Sequence, residues 1–383
     1  MNGTLAFWFE PLEEVGEIKP VDQETGPDET VKPKLELHVN LWRDPPAGVD
    51  FIDLGLKLEN VTRLSRFYVL LPFLIDKSDL KDLSEVMRFG QTLDAVFNTV
   101  VELEGVKDRH YQTKSKGRPF VTIHGIDIGN DIKIEPVEDN ATQTYCILTF
   151  SEQFCTRLRR APGPAQYLRF RVELKKGAGS ALTQEVSAKD KLFVSSANKL
   201  ELTELRLNEQ RSFPARIAQR AQLYSFSVVR VHYFLIRDLG HELVTQHAPL
   251  RKVRRLEPDL WSSYIRGESV RSNVAEKERH IAERLIIYHW REGDGKKEIE
   301  DFTAFATFRT SSPGLLFYIL AIVLLGAVGS TISTLSVSLI GELWSISLFG
   351  GGVAVLWWNT VRRARQRNGR ANLFAKPSGG AQI

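Results

Sequence analysis

Apolar and polar residues alternate along much of the first 180 residues. Leu35, Leu37, Val39 and Leu41 are separated by Glu36, His38 and Asn40, and Ile52, Leu54, Leu56 and Leu58 by Asp53, Gly55 and Lys57. A period of two marks a strand with one face toward a core, because successive side chains point to opposite sides. Runs at 67–75, 121–128, 132–137, 145–150 and 168–174 read the same way. Asp44-Pro45-Pro46, Gly129-Asn130-Asp131 and Pro162-Gly163-Pro164 supply turns between them. Leu80, Leu83, Val86 and Met87 share a helical face behind a capping Asp79, which predicts one helix. Short strands and turns at this spacing predict a β-sandwich-like domain over 1–180, with an exposed loop at 19–34.

Residues 181–310 are mixed in texture and predict a second, α+β part. Ala215–Leu223 reads as a short helix and Tyr224–Ile236, rich in β-branched and aromatic residues, as a strand. The runs at 284–291 and 302–309 predict a hairpin around Gly293-Asp294-Gly295. A helix over 274–287 is the competing reading of the first run.

Beyond Pro313 the pattern changes. Residues 314–332 carry no charge, and 336–358 carry only Glu342. About 20 such residues cross a hydrocarbon core of about 30 Å. The sequence therefore predicts a two-helix transmembrane hairpin at about 314–332 and 336–358, turning at Ser333, Thr334, Ser336 and Ser338. Arg362, Arg363, Arg365, Arg367 and Arg370 follow it, Lys296, Lys297 and Arg309 precede it, and the turn has no Lys or Arg. Cations collect on the cytosolic side, so the expectation is a multi-pass protein of a bacterial cytoplasmic membrane with both termini, including a basic tail at 361–383, in the cytosol. The N-terminal Met1–Glu10 lacks the basic start and apolar core of a signal peptide. Within the second span Ser338, Glu342 and Ser345 fall on one helical face, a polar stripe of the kind that lines functional membrane sites. Gly326 with Ser330, and Ser347 with Gly351, place small residues one turn apart, where helices approach closely.

Composition narrows the rest. Over 383 residues the chain is 43% hydrophobic and 26% charged, which excludes wholesale disorder and collagen. Two cysteines, Cys146 and Cys155, are too few for a disulfide scaffold or a four-cysteine zinc site. A net charge of +4 is too mild to imply nucleic acid. The charge is uneven, however: residues 1–60 hold 13 Asp and Glu against 5 Lys and Arg, whereas 151–260 hold 20 Lys and Arg against 11 Asp and Glu. Arg251, Lys252, Arg254 and Arg255, with Arg362, Arg363 and Arg365, are candidates to meet lipid headgroups or another anionic ligand. The bland alternative is a basic surface answering the acidic N-terminal segment.

Catalytic signatures are missing. The sequence holds no GxxxxGK(S/T), no GxGxxG after a strand, no HExxH and no GxSxG. The eight histidines show no metal-ligand spacing with the cysteines, and His124 and Asp127 stand three apart, on opposite faces of a strand. Arg157, Arg159 and Arg160 could lower the thiol pKa of Cys155, although a buried small hydrophobe is the simpler reading. The sequence thus predicts a non-enzymatic protein without catalytic residues, cofactor or metal. A sensing or binding region would act through a hairpin that assembles, by homo-oligomerisation, into a pore or membrane-perturbing effector, an architecture shared with effectors of bacterial defence. Its competitors are a passive tethered scaffold that binds another protein and an unrecognised membrane-bound enzyme.

Overall fold

The alternating run at 35–41 lies on a strand whose apolar face is buried, as its pattern demands, but whose polar face is also largely covered. The computed structural model describes residues 4–12, 32–88, 91–107, 109–139, 143–175, 178–187, 198–267, 276–311, 315–340 and 351–359. Its first compact unit spans Met1–Ser312 and its second Pro313–Ile383.

The first unit is built from three sheets. One has four strands in the order β1 (Ala6–Pro11), β4 (Leu64–Leu71), β10 (Gln143–Phe150) and β9 (Ile132–Asp139). The largest has ten strands. Its path runs β16 (Lys252–Arg255), β17 (Leu285–Glu292), β14 (Ser227–Asp238), β2 (Lys34–Asp44), β3 (Val49–Glu59), β11 (Gln166–Glu173), β8 (Arg118–His124), β7 (His110–Ser115) and β6 (Glu102–Lys107), with β5 (Leu80–Asp82) added beside β11. The third runs β12 (Thr183–Ser187), β13 (Asn198–Leu207), β18 (Phe302–Ser311) and β15 (His241–Gln246). Helices accompany them among the described residues: α1 (Ser84–Met87), α2 (Thr92–Phe97), α3 (Ile128–Asp131), α4 (Glu152–Arg160), α5 (Ala215–Leu223), α6 (Pro258–Arg266), α7 (Glu276–Glu283) and, in the second unit, α8 (Leu315–Ile340) and a helical stretch at 351–359.

One face of the ten-stranded sheet, carrying Leu37, Leu54, Phe170 and Val231, joins Phe67 and Phe150 of the first sheet and Leu205 and Phe308 of the third in a single core. The opposite face packs Trp42, Phe51 and Ile287 against Trp261, Tyr264 and Ile265 of α6. A sheet covered on both sides must bury the polar members of its alternation, and these must then find partners. That requirement creates the candidate site below.

Several expectations are corrected. The expected two-layer sandwich is a β-rich assembly of three sheets. β14 lies parallel to β2 in the middle of the largest sheet, so this sheet crosses the expected 180 boundary. The expected helix around 80–87 is split, because Leu80–Asp82 pair with Phe170–Val172 of β11 and only Ser84–Met87 turn helical. The expected hairpin does not form: β17 pairs with β14 and β16, and β18 with β13 and β15. Gly293 and Gly295 both have positive φ, and a Cβ at Gly293 would stand 2.3 Å from Val229 O. That loop is pinned against β14 and sends the chain to a different sheet.

The membrane expectation is corrected as well. Among the described residues no helix is long and apolar enough to cross a membrane. The expected turn at Ser333, Thr334, Ser336 and Ser338 is continuous helix. Thr331 donates to Ala327 O at 2.9 Å and Thr334 to Ser330 O at 3.0 Å, so these hydroxyls fold back on the preceding turn. Of the second expected span, 351–358 lies in a helix described over 351–359, and 341–350 lie outside the described residues. The two-span hairpin, and the multi-pass location and cytosolic termini deduced from it, lose their basis.

Candidate metal centre

Among the described residues, side chains able to hold an ion converge at Glu36, His38 and His232. Glu36 and His38 are two apart on β2 and so share a face. His232 stands directly opposite His38 on the parallel neighbour β14. Glu36 Oε1 lies 3.4 Å from His38 Nε2 and 3.6 Å from His232 Nε2. Bonds of about 2.0–2.1 Å in a tetrahedron give donor–donor edges of about 3.3 Å; both Glu36–histidine separations are close to that edge, and all three donor atoms lie within 4.8 Å of one another.

The outer nitrogens are also held. His38 Nδ1 faces the Tyr167 hydroxyl at 3.3 Å, and His232 Nδ1 faces His289 Nε2 at 3.2 Å. Each imidazole thus turns Nε2 inward and meets, at Nδ1, an atom able to accept its proton, the arrangement that fixes the tautomer of ligating histidines. Tyr167 reaches His38 because Gly55 lies between them: a Cβ there would stand 2.2 Å from the Tyr167 hydroxyl. The partners of the second Glu36 oxygen are cationic. Glu36 Oε2 receives Lys57 Nζ at 3.4 Å and Arg230 Nη1 at 3.3 Å.

Electrostatics favour the ionised form of Glu36 and the neutral form of His38. Burial, joined by the charges of His232 and Arg169 against the pull of Glu36, lowers the His38 pKa to about 4. Burial pushes Glu36 upward, but hydrogen bonds from His232 and His38 and the charges of His38 and Lys57 outweigh it and hold the carboxyl well below its usual range. Burial, then His232 and Arg251, brings His289 to about 3. Near neutral pH the cluster presents a carboxylate and a neutral His38, so binding releases no net proton from Glu36, and His38 Nε2 ligates once its proton, donated to Glu36 in the ion-free cluster, moves to the Nδ1 side. The His38 side chain is 6% exposed, whereas Glu36 and His232 are 15% and 19% exposed, so the cluster opens at its Glu36–His232 side.

Deeper along the same face the polar residues continue into a sealed network. Asp53 accepts Trp42 Nε1 at 3.0 Å, Arg171 Nε at 2.8 Å and the Tyr264 hydroxyl at 3.0 Å. Arg171 also donates to Ile265 O and Tyr264 O at the end of α6 and lies over the Phe51 ring at 3.5 Å. Arg169 joins this network to the cluster, donating to the Tyr264 hydroxyl at 2.6 Å and to the Tyr167 hydroxyl at 3.1 Å.

The residues singled out from the sequence fall elsewhere. Lys252, Arg254 and Arg255 lie on the edge strand β16, with Arg251 just before it; Arg254 pairs with Glu257 at 2.7 Å and Arg255 donates to Glu283 O at 2.9 Å. Gly326 and Ser330 lie on α8 and Gly351 in the short helix after it, and no described atom stands within 4 Å of a Cβ built at Gly326 or Gly351. Ser338 belongs to α8 by its backbone, whereas Glu342, Ser345, Ser347, Arg362, Arg363 and Arg365 lie outside the described residues. His124 bonds Gln166 at 2.7 Å rather than Asp127, which caps α3. Burial pushes the Cys155 thiol up to about 12 despite the opposing charges of Arg159 and Arg157. Neither the carboxylate–histidine triad nor its outer partners emerged from the sequence, where the local spacings that stand out are those of histidine with cysteine and of His124 with Asp127. The available signal was Glu36-x-His38, polar residues two apart within a strand. Neither the family models nor the curated proteins compared with this chain give a match.

Proposed function

We propose that this chain is a binding protein for a divalent transition-metal ion, held by Glu36 Oε1, His38 Nε2 and His232 Nε2. The observation that carries this reading is the convergence of three donors at ligand-like spacing, with both imidazole Nδ1 atoms engaged by outer partners. Two imidazoles and one carboxylate suit zinc and its first-row neighbours, and three protein ligands leave a coordination position open. The pore and membrane-perturbing reading depended on the hairpin and is not carried forward. The competing view, that the cluster is an internal ion-pair lattice, draws on Lys57 and Arg230 at Glu36 Oε2.

Zinc titration by calorimetry separates the two. The metal reading expects one ion per chain, and His232→Ala or Glu36→Gln weakening affinity by more than the roughly 10–100-fold that loss of an outer partner costs. No saturable heat, or equal affinity in all three proteins, would leave the ion-pair lattice.

A further inference from the structure

Resting on the metal reading, we infer that the bound ion is one half of an anion site completed by Lys57 and Arg230, whose ligand is a tetrahedral dianion of the phosphate class. Three adjacent strands carry the argument. Lys57, Glu36 and Arg230 form one row across β3, β2 and β14, and Gly55, His38 and His232 form the next. Both cations therefore flank the carboxylate that would ligate the ion, within 3.4 Å of its second oxygen.

The charge balance is incomplete with metal alone. A divalent ion, Lys57 and Arg230 bring four positive charges, against one each from Glu36 and from Glu59, which lies 3.4 Å from Lys57. Two negative charges are missing, and in a partly buried site such an excess is costly. A second observation points the same way: Arg230 Nε is buried without a hydrogen-bond partner among the described residues. An oxyanion taking the open coordination position with one oxygen could accept from Lys57 and Arg230 with others. Phosphate matches a point-charge ammonium beside a guanidinium fork. The opening at the Glu36–His232 side gives it access.

The test is calorimetric titration of inorganic phosphate, glycerol phosphate and acetate into the full chain, zinc-loaded and chelator-treated. Phosphate should bind the loaded form at least about tenfold more tightly than the metal-free form, and acetate should bind far more weakly than either phosphate. Lys57→Met and Arg230→Met should each weaken phosphate about tenfold or more while tightening zinc, because each removes a cation beside the ion. Glycerol phosphate binding more tightly than phosphate would support a phosphorylated organic ligand, and equal binding would support the free ion. Zinc binding with phosphate affinity unchanged by metal or by either substitution overturns the anion site and leaves the metal site standing. Absence of zinc binding overturns both.

Discussion

Gly55 is the residue on which the geometry of His38 turns. A methyl group there would stand 2.2 Å from the Tyr167 hydroxyl, 2.9 Å from Arg169 Nη1 and 3.0 Å from Tyr167 Cζ, all inside ordinary contact distance. Gly55→Ala should therefore cost about 1–3 kcal/mol, the range for an overfilled interior, and weaken metal binding about tenfold by displacing the outer partner of His38. Adding Tyr167→Phe removes the nearest clashing atom. The double variant should regain part of the lost melting temperature but none of the metal affinity, since the hydroxyl is gone. A Gly55→Ala protein that melts and binds like the parent would show that Tyr167 does not hold His38.

At the scale of elements, the ends of α6 and the central strands are tied by charge. Arg171 serves Asp53 and the last carbonyls of α6 at once, with both ionic side chains fully buried. Asp53→Asn leaves that guanidinium buried beside a neutral partner, and removing one member of such a pair costs about 3–5 kcal/mol. Chemical denaturation should record the loss as a lower midpoint with an unchanged slope; a change under 1 kcal/mol, on the order of a solvent-exposed pair, would mean the network is hydrated. Strand identity was readable where one face alternates cleanly, as at Leu35–Leu41, and α5 was readable from its own pattern. Partner choice was not. The runs that become β17 and β18 look like a hairpin because they are neighbours in sequence, yet each has better-matched neighbours in a different sheet. The cluster was hidden for the same reason: His232 reaches Glu36 only through the parallel pairing of β14 with β2, and no local spacing encodes that.

Across the whole molecule, the three sheets and their shared core lie within Met1–Ser312, and the cluster lies entirely in that unit. A chain ending at Ser312 should therefore unfold cooperatively and bind the ion with the affinity of the full chain, as followed by thermal melts with and without zinc. Loss of cooperative folding in that fragment would mean that the second unit contributes to the core. The central claim is that Glu36, His38 and His232 together make one metal site, and its most direct measurement is a cobalt(II) titration read by visible absorption. The account predicts intense tetrahedral-type bands that saturate at one ion per chain, vanish in His232→Ala and are displaced by zinc. A weak, octahedral-type spectrum that is the same in the parent and in His232→Ala would contradict it.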